Sequence, residues 1–259
     1  MAERASIDLK DDLRQASIVC RYEILKFFSG KKIFIYLALV VLVFGLLTFV
    51  SFAFGDGTPD VKDETSSFFS FVTLFLLVGA TLFSSVTLVS EFEERTAFTL
   101  FTKPVHKTAI FAGKFAAAYI LNIGVMAIYT ILVVIEAAIR TGGFAAEIFQ
   151  AFGYCMCYAF ALTGIAIFFS ALMKRSSSAS ILTFIVILLL PSLVASIILI
   201  AGLAESLDDF WYILDMAANS MLNCFNGPLK YGYRDILVML TWGIVPAAAA
   251  LLIFRRREV

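Results

Sequence analysis

The residues of this sequence that could take part in chemistry are concentrated between residues 90 and 114, in the stretch SEFEERTAFTLFTKPVHKTAIFAGK. The stretch holds three acids and four bases, namely Glu91, Glu93, Glu94, Arg95, Lys103, Lys107 and Lys114. Its Gly113-Lys114 pair could end a phosphate-binding loop. Such a loop needs a glycine where Thr108 stands and a hydroxyl residue where Phe115 stands. The sequence therefore predicts that this chain does not hydrolyse nucleotides itself.

Elsewhere the chain offers few groups for chemistry. His106 is the only histidine, so a histidine-based zinc site cannot be built, and the four cysteines are scattered. We predict no catalytic, cofactor-binding or metal-binding residue in this chain. Asn122 and Glu136 lie within an apolar run and could line a translocation path, because polar groups inside a membrane are costly and often functional. Glu136 is also close enough to the end of its run to lie at the membrane interface.

The composition is that of an integral membrane protein. Of 259 residues, 61% are hydrophobic and 15% charged, and the mean hydropathy is +0.94; soluble domains are about half apolar and about a quarter charged. Zero net charge gives no indication of nucleic-acid binding. Runs long enough to cross a bilayer predict an all-α, single transmembrane domain over residues 1–259. The six predicted spans are residues 33–54, 67–89, 115–139, 148–173, 179–203 and 236–254.

The basic residues predict how these spans are oriented. Six spans place both termini on one side of the membrane. That side holds seven Lys or Arg before the first span, four in the 90–114 stretch, two at residues 174–175 and three at the C-terminus; four lie on the other side. Because basic residues favour the cytoplasmic side, we expect both termini and the 90–114 stretch to be cytoplasmic.

Two further segments are predicted to form helices outside the spans. Residues 1–32 carry apolar side chains at three- and four-residue steps, which predicts an amphipathic helix in the membrane interface. A simple membrane anchor or a packed cytoplasmic helix would show the same pattern. Between spans five and six, residues 205–235 predict a short external helix, with Ser206 and Asp209 as a cap and Gly227-Pro228 as a stop.

The 90–114 stretch itself predicts a short cytoplasmic helix. Ser90 and Glu93 have the spacing of a capping box, and the neighbouring acids suit the positive end of a helix dipole. Phe98 and Phe101 add apolar surface, and Pro104 ends the helix. A helix of this kind exposes aromatic side chains that a partner protein could cover.

The order of residues in this stretch resembles the signature loop of ABC exporter permeases of the type-2 class. The matching residues are Glu91, Glu93, Thr96, Leu100, Pro104, Val105, Lys107, Ile110, Gly113 and Lys114. Residues 21–36, RYEILKFFSGKKIFIY, are similar to the elbow helix of that family. Many members carry glycine where Arg95 stands, which leaves the subfamily open.

The resemblance implies an ATP-driven exporter. The permease would work as a homodimer or a pair of related permeases in the lipid of the cell membrane, with ATP and Mg²⁺ bound by a separate ATP-binding cassette ATPase subunit. The loop would form the coupling helix seated in that ATPase. The residues expected to couple are Glu91, Glu93, Glu94, Thr96, Phe98, Leu100, Pro104 and Lys107. A secondary transporter or channel, which needs no ATPase, is the alternative.

Overall fold

The computed structural model describes residues 9–54, 60–93, 106–200, 212–227, 229 and 231–256. These residues are mostly helical, and no strand occurs among them. The helices are α1 (Leu9–Ser29), α2 (Lys31–Phe54), α3 (Val61–Phe69), α4 (Val72–Gly79), α5 (Val89–Glu93), α6 (Lys107–Thr141), α7 (Glu147–Leu172), α8 (Ser176–Ile200), α9 (Leu214–Ala218), α10 (Ser220–Asn223) and α11 (Gly232–Arg256). The prediction of an all-α protein is confirmed.

Five helical segments are long and apolar enough to cross a membrane: Lys31–Phe54, Val61–Glu93, Lys107–Thr141, Glu147–Leu172 and Gly232–Arg256. The chain is therefore a multi-pass membrane protein. The backbone of α8 is helical over 25 residues. The apolar stretch established within it covers only Ser176–Leu189, which is too short to cross a membrane. The six-span count thus stays a prediction.

The segment Val61–Glu93 is not one continuous helix. A turn separates α3 from α4, and after α4 the chain forms a π-helical turn at Ala80–Ser84 and further turns before α5. Hydroxyl side chains concentrate at this break: Thr81 and Thr87 donate hydrogen bonds to the carbonyl oxygens of Val78 and Phe83 at 2.8 and 2.6 Å. Hydroxyls that bond to the backbone of the preceding turn bend helices. The sequence predicted an unbroken span here.

The closest helix pair is α7 with α11. A Cβ atom added to Gly164 would lie 2.2 Å from the carbonyl oxygen of Gly243, so the two backbones touch where the helices cross. Small residues at such crossings are typical of helix packing in membranes. By contrast, α2 buries only Ile33, Tyr36 and Val40 and exposes most of its other large apolar side chains. That face suits contact with lipid.

Polar contacts between helix ends define two ends of the bundle. At one end Lys107 at the start of α6 donates to the carbonyl oxygen of Arg255 in α11 at 3.3 Å. At the other, Lys62 of α3 pairs with Glu147 of α7 at 2.6 Å. We call the first the loop end, because residues 94–105 connect α5 to α6 there, and the second the far end.

Candidate functional site

The structure describes three of the eight residues expected to couple. Glu91 and Glu93 lie in α5, just before residues 94–105, and Lys107 begins α6, just after them. The other five lie outside the described residues, and so does the predicted coupling helix: Glu94, Thr96, Phe98, Leu100 and Pro104. Their roles stay predictions, and the geometry that follows is that of the two chain ends flanking this segment.

A buried lysine joins those flanking ends to the N-terminal helix. Lys114 is 2% exposed, and its Nζ pairs with carboxylate oxygens of Glu23 in α1 and, at 2.9 Å, of Glu91 in α5. The same nitrogen lies 3.3 Å from the carbonyl oxygen of Thr87. Lys26 of α1 pairs with Glu91 from the outside at 3.6 Å. We call Glu23, Lys26, Glu91 and Lys114 the ion cluster.

The charges of the ion cluster balance, two acids against two bases. A buried ammonium group is tolerated only where it is paired and its N–H groups are satisfied. Here three acceptors surround Lys114 Nζ, which accounts for its burial within a hydrophobic bundle. The ion cluster therefore holds α1, α5 and α6 together through ion pairs between segments that are far apart in the sequence.

Gly113 explains how α1 can lie so close to α6. A Cβ atom at Gly113 would be 2.6 Å from the carbonyl oxygen of Ala16 and 2.8 Å from Cβ of Val19. Only glycine allows the two helices to approach this closely without displacement. The Gly113-Lys114 pair therefore has a structural role. Gly113 leaves room for α1 to pack against α6, and Lys114 forms an ion pair with Glu23 of α1.

One thiol lies beside this junction. Burial, with a contribution from the Glu23 carboxylate, raises the pKa of the Cys20 thiol above its ordinary value. The thiol of Cys20 is therefore protonated at neutral pH, which makes it a weak nucleophile.

Glu93 fastens the same end of the bundle to α8. Its Oε2 accepts hydrogen bonds from the Ser176 backbone N–H at 2.9 Å and from the Ser176 hydroxyl, at the first residue of α8. A carboxylate is favourable at a helix N-terminus because the unpaired N–H groups there carry partial positive charge. The capping box predicted for Ser90 and Glu93 is wrong: the Ser90 N–H donates to the carbonyl oxygen of Val86 at 3.0 Å, so Ser90 is not a helix cap.

Ser170 of α7 holds the start of α5, and the sequence analysis did not single it out. Its Oγ accepts from the backbone N–H groups of Leu88 and Val89, both at 3.0 Å. The first N–H groups of a helix lack partners within that helix, and a buried hydroxyl satisfies two of them here. The signal was weak, since one serine in a long apolar run resembles any other.

The family comparison covers most residues of this arrangement. A model of the ABC-2 family transporter proteins matches residues 20–192, more than half of the chain, and includes the whole ion cluster. The chain belongs to the ABC-2 transporter family. It is an ABC transporter permease, and the resemblance noted for residues 90–114 is confirmed at the level of the family. A search of the curated proteins found no match to the chain.

In this ABC-2 permease, Asn122 connects neighbouring helices. It is fully buried, its Nδ2 donates to the carbonyl oxygen of Leu76 at 3.2 Å, and its Oδ1 lies 3.3 Å from the Tyr36 hydroxyl. That hydroxyl also donates to the carbonyl oxygen of Phe75 at 2.8 Å. These contacts account for a polar residue at this depth, and a place for Asn122 in a translocation path stays a prediction.

Glu136 lies near the far end of the permease. It is 4% exposed, and neither carboxylate oxygen has a hydrogen-bonding partner among the described residues. Its charged neighbours are Glu64 and Arg140, which pair with each other at 3.2 Å. The structure places Glu136 and Asn122 on the same helix, α6. A role in a translocation path stays a prediction for Glu136 as well.

Proposed function

We propose that this ABC-2 permease is the membrane half of an ATP-driven exporter. Two permease chains, identical or related, would form the pathway in the cell membrane, with both termini cytoplasmic and six spans in each chain. A separate ATP-binding cassette ATPase would bind ATP and Mg²⁺ and hydrolyse the nucleotide. The observation that supports this proposal most is the ion cluster, because it joins both ends of the 94–105 segment to a third helix.

The contacts around that segment suit the transmission of a mechanical signal. Glu91 and Lys114 flank the segment on either side and pair with each other, and Lys114 also pairs with Glu23 of α1. Glu93 binds the start of α8, and Lys107 binds the end of α11. A partner that pushed on residues 94–105 would therefore act directly on the loop ends of several helices. Side chains packed in this way move together rather than singly.

A second set of contacts supports the same idea. An apolar cluster at the loop end brings together Leu88, Ile110, Phe111, Ile167, Ala171, Ala250 and Phe254, which belong to α6, α7, α11 and the chain just before α5. Close-packed interiors have low compressibility and transmit strain. The helices at the loop end are thus held together by both the ion cluster and this apolar cluster.

The alternative function is transport without an ATPase, as a secondary transporter or channel. The two functions differ in one measurable respect, because only the first requires that ATP turnover by a bound subunit depend on the permease. We expect the purified permease alone to show no ATP turnover. We expect an ATPase subunit that co-purifies with it from the native cell to be present in equal number.

The test uses the two apolar side chains that we expect to enter the ATPase. Burial of such a side chain is worth roughly 1.5–3 kcal/mol, and about 1.4 kcal/mol corresponds to tenfold in affinity. Phe98→Ala combined with Leu100→Ala should therefore weaken ATPase binding at least about tenfold, measured with the permease in lipid nanodiscs. Permease-dependent ATP turnover should fall with it.

The matched control replaces one phenylalanine and one leucine at the far end, Phe144→Ala with Leu237→Ala, both of which are more than half exposed. This pair should bind the ATPase as tightly as the parent. If the Phe98/Leu100 pair also binds as tightly as the parent, these side chains are not the docking surface. ATP turnover by the permease alone would contradict the proposed division of labour.

A further inference from the structure

A cavity of about 530 Å³ lies between α7, α8 and α11. Its wall is almost wholly apolar and includes Phe168 and Phe169 of α7, Ile187 of α8 and Val245 of α11. Pro191 of α8 and Pro246 of α11, both inside their helices, also line it. Binding sites for small molecules usually have volumes of about 300–1,000 Å³ and walls of this character, so the cavity is large enough for an organic ligand.

Residues 212–215, between α8 and α11 in the sequence, close one side of the cavity. Trp242 of α11 donates its indole N–H to the carbonyl oxygen of Tyr212 at 2.9 Å, which holds this segment against the bundle. Tyr158, Tyr212 and Trp242 all contribute to the wall. Aromatic rings present a negative face that attracts cations, and tryptophan does so most strongly. The cavity therefore combines an apolar interior with several rings that favour positive charge.

A single carboxylate stands in this wall. Among the described residues that line the cavity, Asp215 in α9 is the only one with a charged side chain, and no described basic residue pairs with it. Asp215 lines the cavity while remaining exposed, and the partial burial of its carboxyl raises the pKa of that group above its ordinary value. A carboxylate so placed is stabilised by any cation that enters beside it.

We propose that this cavity is a binding site for a lipophilic cation, a molecule with a hydrophobic body and a delocalised or quaternary positive charge. The hydrophobic body would lie against the side chains of α7, α8 and α11, and the charge would lie near Asp215 and the aromatic rings. An anion of the same shape would meet the carboxylate and the negative ring faces. The idea that such a cation is the exported cargo rests on the proposed function. The idea that the cation binds in this cavity does not depend on that function.

The experiment compares two ions of the same shape and opposite charge, tetraphenylphosphonium and tetraphenylborate. Equilibrium dialysis of the labelled ions against the full chain in nanodiscs, with empty nanodiscs subtracted, measures binding to the protein. We expect saturable binding of tetraphenylphosphonium to the parent, at least about tenfold tighter than that of tetraphenylborate. Equal binding of the two ions, or no saturable binding of the cation, would overturn the proposal.

Four variants test whether the binding belongs to this cavity. Asp215→Asn should weaken cation binding about tenfold without weakening anion binding, and Asp215→Glu, which keeps the charge, should retain it. Asp63→Asn, the same change at an exposed position of α3 that does not line the cavity, should have no effect. Ala249→Phe, which fills the cavity, should abolish binding of both ions. If Asp215→Asn binds the cation as the parent does, the carboxylate is not the recognition group.

No ATPase is present in this assay, so its outcome is independent of ATP-driven transport. A permease that binds the cation but never associates with an ATPase would retain this site and lose the proposed function. A permease that drives ATP turnover but binds no cation would do the reverse.

Discussion

At the scale of single residues, Lys114 shows how a charge can be placed inside a hydrophobic bundle. The sequence puts it at the edge of an apolar run, where it resembles an ordinary interfacial base. Its partners come from elsewhere: Glu23 is 91 positions earlier in the chain and Glu91 is 23 earlier. Three hydrogen-bond acceptors replace the water that Lys114 loses on burial. The Lys114 side chain is therefore held in the interior rather than exposed to solvent.

This burial predicts unequal effects for the two lysines of the ion cluster. Lys114→Met leaves Glu23 and Glu91 buried without their central partner, and breaking such a pair costs about 3–5 kcal/mol. Lys26→Met removes a base that is 48% exposed, and exposed pairs are worth about 0–1 kcal/mol. Thermal unfolding in detergent, followed by loss of helicity, should therefore show a large fall in midpoint for Lys114→Met and a small one for Lys26→Met.

A double variant separates lost charge balance from lost packing. Adding Glu23→Gln to Lys114→Met removes one of the unpaired carboxylates, so the midpoint should recover part of its fall. Equal falls for Lys114→Met and Lys26→Met would show that Lys114 is solvated and that the ion cluster does not hold the loop end together.

At the scale of helices, the packing of α1 on α6 depends on Gly113. Gly113→Ala places a methyl group where the Ala16 carbonyl oxygen and Val19 already lie, so α1 must move. Gly124 is in the same helix and has nothing within 4 Å of its added Cβ. Gly124→Ala should therefore stabilise α6 by about 0.5–1 kcal/mol, the ordinary helix preference of alanine over glycine.

The two alanine variants should thus have opposite signs, which makes each the control for the other. Gly113→Ala should lower the unfolding midpoint and should also expose α1, so limited proteolysis should cut α1 faster in this variant than in the parent. A rise in midpoint for both variants would mean that α1 does not lie on α6 at this position.

The helices were easier to predict than the contacts between them. Runs of apolar residues located the long helices because hydrophobicity is a local property. The break in Val61–Glu93 was missed because single hydroxyls such as Thr81 and Thr87 give no local signal, and because the Ser170 hydroxyl that receives the N–H groups of Leu88 and Val89 belongs to α7. The capping box failed for a similar reason, since Glu93 had a better partner at Ser176 than its own helix offered. Local spacing cannot show which distant group competes for a side chain.

At the scale of the whole molecule, the ends of the helices agree with the pattern of charge. The ion cluster places α1 at the loop end, and the contact between Lys107 and Arg255 places the end of α11 there too. Sixteen of the 20 basic residues are predicted to lie on this side, counted from the sequence. The two ends of the bundle are therefore predicted to differ in basic character, as the ends of an oriented membrane protein do.

The distribution of basic residues predicts that the loop end faces the cytoplasm. Single cysteines in place of Thr58 and Thr102, in a chain lacking its four native cysteines, test this in intact cells with a thiol reagent that cannot cross membranes. Residue 58 lies in the sequence between α2 and α3, and α3 begins at the far end, so Thr58→Cys should be labelled. Thr102→Cys, between α5 and α6, should be labelled only after the cells are permeabilised.

Both cysteines must react in permeabilised cells, which shows that each cysteine is accessible. Labelling of Thr102→Cys but not Thr58→Cys in intact cells would invert the orientation, and the ATPase could then not reach the loop from the cytoplasm.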